Sequence, residues 1–265
     1  MSSRLADSIA AARKSRKLAF LPFLAGGYPD VPTFVETLKA IAPVADAVEI
    51  GFPFSDPIAD GPTIQAAFAD TLSRGIKVKD IFTAVAEARK QVKTPLIAMV
   101  SYSIVFRYPL SKFLEGAKAC GFDAILIPDL PPPEAQAVCQ TINSTGLDTV
   151  LLVAPTTSPA RRRQIADLST GFVYYLSVTG ITGERETLPP ELADGVKMMK
   201  SLTQVPVCVG FGISKPPHMQ QVAAIADGAI VGSAIIKRMQ QHAGESPAAI
   251  ASAVATYCQE MTSVK

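Results

Sequence analysis

The chain has 265 residues, 48% hydrophobic and 18% charged, enough to bury a substantial core and too apolar for a disordered segment. A formal net charge of +2, from 25 Lys and Arg against 23 Asp and Glu, argues against a nucleic-acid surface built on charge, and the one dense basic run, Arg161-Arg162-Arg163, reads as a solvated helix face. No apolar run reaches the ~18 residues of a membrane span, and Cys120, Cys139, Cys208 and Cys258 are too scattered for a disulfide framework or a zinc motif; the expectation is a cytoplasmic protein with reduced, packed cysteines.

The segment from Ser2 to Lys17 carries Leu5, Ile9 and Ala12 at helical spacing and predicts an N-terminal helix. The apolar run Leu18 to Leu24 reads as the first strand. Asp30-Val31-Pro32 opens a helix with Phe34, Leu38 and Ile41 on one face, and Ala47 to Ile50 reads as the second strand. A long interval with two helical stretches, Ile64 to Leu72 and Val78 to Arg89, separates it from the third strand, Leu96 to Val100. Further strands follow at Ala124 to Ile127, Thr149 to Val153, Phe172 to Leu176, Val205 to Val209 and Ala229 to Val231. Helix starts lie between them at Pro132-Pro133-Glu134, Ser158-Pro159 and Ser214-Lys215-Pro216, and helices at Ala234 to Gln240 and Ala248 to Met261 close the chain. Nearly continuous apolarity suits parallel strands buried on both faces. Eight strand-helix units in this length predict one TIM (β/α)8 barrel domain spanning 1–265, with an extra N-terminal helix and an expanded connection after strand two.

Barrels of this kind build their active sites at the C-terminal ends of the strands. There, Glu49 stands among Ala47, Val48 and Ile50, where a core-facing carboxyl must overcome desolvation; burial raises its pKa and suits it to general acid–base work. A salt-bridged structural role is the bland alternative. Asp60, before Gly61-Pro62, sits in a loop turning back over the barrel mouth, and Asp56 precedes Pro57; taken singly, each also fits a turn or a helix cap. One tuned carboxyl beside an ionised one divides acid and base roles.

Glycine-rich turns follow the late strands at Gly180-Ile181-Thr182-Gly183, Gly210-Phe211-Gly212-Ile213-Ser214 and Gly232-Ser233-Ala234. Free backbone N–H groups at such turns suit a phosphate. Phe23, Tyr102 and Tyr174 offer a flat apolar wall for an aromatic substrate, with core packing as the alternative. The only histidines, His218 and His242, fall in helical regions and are expected at the surface. No metal cluster, Walker motif or early GxGxxG appears, so catalysis is expected to rest on carboxylates and binding, without metal.

The run from Val48 through Glu49-Ile50-Gly51-Phe52-Pro53-Phe54-Ser55-Asp56-Pro57-Ile58-Ala59-Asp60-Gly61-Pro62-Thr63 to Ile64-Gln65 resembles the signature of tryptophan synthase α subunits. The resemblance continues through Gly26-Gly27-Tyr28-Pro29, Asp129-Leu130-Pro131, Ala154-Pro155-Thr156-Thr157, Ser177 to Gly183 and Val209 to Ser214, in order along the chain. It implies retro-aldol cleavage of indole-3-glycerol phosphate to indole and D-glyceraldehyde 3-phosphate. Glu49 would exchange protons with the substrate and Asp60 would hold the indole N–H, with phosphate at Gly183, Gly212, Gly232 and Ser233. It further implies a lid over 179–188 in which Thr182 meets Asp60. A β-subunit partner, in an α2β2 assembly, would carry the pyridoxal phosphate that this chain lacks, with Pro53, Asp56, Asp129 and Pro131 on the contacting rim. One departure stands out: Ile104 occupies a position where many family members carry Asn, which bears on coupling to the partner. A stand-alone indole-releasing lyase, another phosphate-binding barrel isomerase and a non-catalytic barrel are the rival readings.

Overall fold

The computed structural model describes residues 3–16, 18–57, 60–177, 189, 191–210 and 212–263. The apolar runs form eight strands: β1 (Ala19–Ala25), β2 (Val48–Gly51), β3 (Leu96–Met99), β4 (Ala124–Leu126), β5 (Asp148–Val153), β6 (Phe172–Leu176), β7 (Val207–Gly210) and β8 (Gly228–Val231). Each pairs in parallel with the next, and β8 returns to β1, closing the barrel. Around it run α1 (Arg4–Arg16), α2 (Val31–Ile41), α3 (Pro62–Ser73), α4 (Val78–Arg89), α5 (Tyr102–Arg107) and α6 (Leu110–Cys120). Then come α7 (Ala135–Ser144), α8 (Pro159–Leu168), α9 (Leu192–Leu202), α10 (Pro216–Ala223), α11 (Ser233–Gln241) and α12 (Pro247–Thr262). The TIM barrel, the N-terminal helix and the paired helices α3 and α4 after β2 are as the sequence predicts.

Local chemistry sets the boundaries. The Asp30 carboxylate accepts from the Thr33 N–H at 2.8 Å and starts α2, with Pro32 in its first turn. The β7 strand starts at Val207, two residues later than predicted, because Pro206 has no N–H to donate. The helix α7 starts at Ala135, after the Pro-Pro-Glu run, and α5 is a short helix the apolar pattern does not signal.

The core has two layers. Outward-facing strand residues such as Val48 and Ile50 pack against the helices together with Phe34, Leu38 and Ile41. Inside the barrel lie Leu21, Ile97, Leu126, Val150, Phe172, Tyr174, Cys208 and Ile230, and Leu5, Ile9 and Ala12 of α1 plug this interior. The plug is tied to acids at the strand starts: Arg4 pairs with Asp123 at 2.7 Å and Arg13 with Asp227 at 3.0 Å, while Ser3 Oγ donates to Asp148 at 2.5 Å. With one end closed in this way, the opposite, C-terminal end is left for a site.

All four cysteines are free and buried. Two surface expectations need correction. His218 is only 2% exposed, because its Nδ1 is turned inward to accept from the Ser214 N–H at 3.2 Å. The run Arg161 to Arg163 is not a uniformly solvated face, since Arg162 is drawn in to donate to the Pro155 carbonyl oxygen at 2.7 Å.

Candidate active site

A cavity of about 470 Å³ opens at the C-terminal mouth of the barrel, within the range of small-molecule sites. Inner residues of several strands form its floor and walls: Met99, Leu126, Leu152, Tyr174, Leu176 and Ile230. Glu49 and Asp60 both line it.

Alternation along β2 sends Val48 and Ile50 outward and Glu49 inward, in register with Phe23 of β1 and Ile97 of β3. The Glu49 side chain is buried, and its Oε1 has no hydrogen-bond partner among the described residues. Burial first, and the charge of Asp60 second, push its carboxyl up to about 8.

Asp60 arrives from the loop before α3. Gln65 Nε2, one turn into that helix, donates to the Asp60 carbonyl at 2.7 Å and to that of Pro57 at 3.1 Å, folding the loop back against the helix. Asp60 is 6% exposed, and burial raises its carboxyl to about 6. Near neutral pH the pair therefore splits, with Glu49 predominantly protonated and Asp60 predominantly ionised. The Tyr174 hydroxyl is held well above its ordinary value, by burial above all, and stays neutral beside them.

Two glycines make room for aromatic rings at this site. A Cβ on Gly51 would lie 2.6 Å from the Phe23 ring and 3.0 Å from that of Phe68, and one on Gly210 would lie 2.2 Å from the Tyr174 hydroxyl. Phe23 and Tyr174, two of the aromatics the sequence singles out, line the cavity. Tyr102 does not: it begins α5, with its ring centroid 6.2 Å from that of Phe106.

Gly212, Gly232 and Ser233 also line the cavity. Gly212 takes a left-handed φ of 82°, which suits glycine. Gly232 caps α11 and Ser233 is its first residue, so Ser233 and Ala234, at the helix start where N–H groups lack helical acceptors, lie at the cavity edge. Gly183, Thr182, Phe211 and the 179–188 segment lie outside the described residues.

On the rim, Asp56 and Asp129 are exposed while Pro53 and Pro131 are half-buried. Asp129 accepts from Ser101 Oγ and from the Tyr102 N–H, both at 2.7 Å, so the loop after β4 is tied to the start of α5. Ile104 packs, half-buried, against the core. Sequence reasoning missed Ser101 and Thr157, which line the cavity, and Phe106, which is 77% exposed on α5. The serine before Tyr102, at a strand end, was the available signal for the first of these. Among the described residues no group of His, Cys, Asp and Glu could hold a metal ion, and no helix is long and apolar enough to cross a membrane.

A closed parallel barrel with two buried carboxyl groups lining one apolar mouth is the layout of an enzyme of the (β/α)8 class. The family model described as "Tryptophan synthase alpha chain" matches residues 9–265. The tryptophan synthase alpha chain of Chloroflexus aurantiacus is 41% identical over 263 residues, covering 98% of both chains. The tryptophan synthase alpha subunit of Pyrococcus furiosus, a solved structure, superposes with a TM-score of 0.86 at 35% identity, covering 93% of this chain and 98% of that one. A chain of M. tuberculosis tryptophan synthase in its aminoacrylate-bound form gives 0.87 at 30% identity over the full length of both. The chain belongs to the tryptophan synthase alpha chain family.

Proposed function

We propose that this chain cleaves indole-3-glycerol phosphate to indole and D-glyceraldehyde 3-phosphate, with Glu49 as the proton-transferring group and Asp60 as the anchor of the indole N–H. The observation that carries the assignment of roles is the pair itself: two buried carboxyl groups lining one cavity, one favouring the protonated form and the other the ionised form near neutral pH.

Protonated Glu49 delivers its proton to C3 of the indole ring, making that carbon tetrahedral. Positive charge then spreads to the ring nitrogen, where the Asp60 carboxylate stabilises it more than it stabilises the ground state. The Glu49 carboxylate next takes the proton of the glycerol hydroxyl. The O–H electron pair becomes the aldehyde C=O, the carbon–carbon bond breaks, and its pair returns to the ring. Indole and the aldehyde phosphate leave, and Glu49 is protonated again. The aromatic and aliphatic wall, Phe23, Tyr174 and Leu126 among it, fits a flat ring. Gly212, Gly232 and Ser233 would hold the phosphate by backbone N–H groups and a hydroxyl, completed by Gly183 and Phe211, with Thr182 closing onto Asp60.

The whole chain, 1–265, would act as one barrel domain in the cytoplasm, needing no cofactor of its own. A β subunit carrying pyridoxal phosphate would receive the indole, docking on the rim of Pro53, Asp56, Asp129 and Pro131. Exposed Phe106 on the neighbouring α5 extends that face with an apolar anchor. Indole release from indole-3-glycerol phosphate, measured with and without a β subunit, tests the assignment. No release under either condition defeats it, and release at one rate regardless of partner favours a stand-alone lyase.

A further inference from the structure

Ser214 is clamped through its backbone from two sides. Its N–H donates to Nδ1 of His218 on α10 at 3.2 Å, and its carbonyl oxygen accepts from the hydroxyl of Tyr257 on α12 at 2.9 Å. All three residues are buried, so neither interaction is readily replaced by water. A peptide unit is planar. His218 therefore fixes the plane of the Ile213–Ser214 peptide and Tyr257 that of the next one. Gly212 and Ile213, immediately before the clamp, line the cavity, and Gly212 needs a left-handed backbone to do so. The Arg238 guanidinium of α11 lies 5.3 Å from the centroid of the Tyr257 ring, so the clamp also touches the helix whose first turn carries Ser233.

We propose that His218 and Tyr257 are positioning residues for the phosphate-binding turn: they hold the main chain after β7 in the one geometry that presents Gly212 and Ile213 to the phosphate together with Gly232 and Ser233, which follow the adjacent strand. This rests on the assignment of that wall as the phosphate site. His218 stands at the third position of α10, whose N-cap, Lys215, makes no side-chain cap bond. A helix-capping role alone would therefore lower stability on substitution and leave ligand affinity untouched. Positioning predicts a selective loss of anion affinity instead.

Calorimetric titration of the full chain with inorganic phosphate and, separately, with indole distinguishes these. His218→Leu, which removes the acceptor, is expected to weaken phosphate binding roughly tenfold and leave indole binding unchanged. His218→Asn, which restores an acceptor near the Nδ1 position, should recover most of the affinity. In turnover, His218→Leu should raise KM for the phosphorylated substrate with little change in kcat, the pattern of lost uniform binding. Wild-type phosphate affinity in His218→Leu, alongside lost affinity in Ser233→Leu, overturns the clamp and leaves the phosphate site standing. Wild-type affinity in Ser233→Leu as well overturns both. If His218→Leu does not fold, Tyr257→Phe removes a single oxygen from the other side of the clamp: weakened phosphate binding supports the proposal and unchanged binding overturns it.

Discussion

The charge on Asp60 adds to burial, the larger cause, in keeping the Glu49 proton in place, and the two carboxyl groups line one cavity. The two carboxyl groups thereby differ in their hold on a proton, and the difference comes from burial as well as from charge. Glu49 is fixed on a strand, and Asp60 on a loop stapled by Gln65.

This relationship has a consequence for stability. The Glu49 carboxyl is raised from 4.5 to about 8 on folding, so the native state binds more protons than the unfolded chain between those values. Its contribution to stability is fully present below the unfolded value and is lost as pH rises through about 8. Glu49→Gln has nothing to titrate. Its stability relative to wild type should therefore rise between about pH 4.5 and pH 9 by an amount on the order of 5 kcal/mol, measured by denaturant unfolding at each pH. A difference that does not change with pH contradicts the buried, protonated state.

Asp60→Asn keeps the shape of the loop residue and removes its charge. Cleavage should fall by about 10²–10³-fold in kcat, the scale of losing one electrostatic stabiliser of the transition state. The residual activity should show its Glu49-dependent titration at lower pH than wild type, because the charge that raises Glu49 is gone. The pH profile of kcat for the variant, set against wild type, checks both points.

Gly51→Ala adds a Cβ that meets the Phe23 ring at 2.6 Å and the Phe68 ring at 3.0 Å, two stiff groups packed side by side. Overpacking of this kind costs about 1–3 kcal/mol. Because Phe23 lines the cavity beside Glu49, KM for indole-3-glycerol phosphate should rise as well. Thermal unfolding and steady-state kinetics on the same preparation test the link between packing and site shape.

Phe106→Ala removes a ring that is 77% exposed, so the fold should lose no more than about 0.5 kcal/mol and cleavage by the isolated chain should be unchanged. Affinity for the β subunit should fall at least about tenfold if the ring is an anchor of that interface. A binding titration between the two subunits measures it, and unchanged affinity removes α5 from the docking face.

Much of this was legible in the sequence because it depends on local pattern. The alternation of apolar strands and amphipathic helices specifies the barrel, and an acid set among Ala47, Val48 and Ile50 marks Glu49 as an anomaly that demands a reason. What stayed hidden depends on residues that meet only after folding. The bonds from Ser101 and Tyr102 to Asp129 span two loops and leave no mark in spacing. The burial of His218 is set by a backbone N–H four residues upstream, which a hydropathy pattern does not register. Tyr102 reads as an aromatic after a strand, yet the α5 helix turns it towards Phe106 and away from the cavity lining. The inner wall of Leu126, Leu152 and Ile230 needed strand register before its inward positions could be told from its outward ones.

The most direct test is single-turnover cleavage of indole-3-glycerol phosphate by the folded Glu49→Gln chain, run beside a phosphate titration of the same sample. The expected result is a loss of about 10²–10⁴-fold in the rate of indole release, with wild-type phosphate affinity. Indole release at a near wild-type rate would contradict the role of Glu49 as the proton-transferring group.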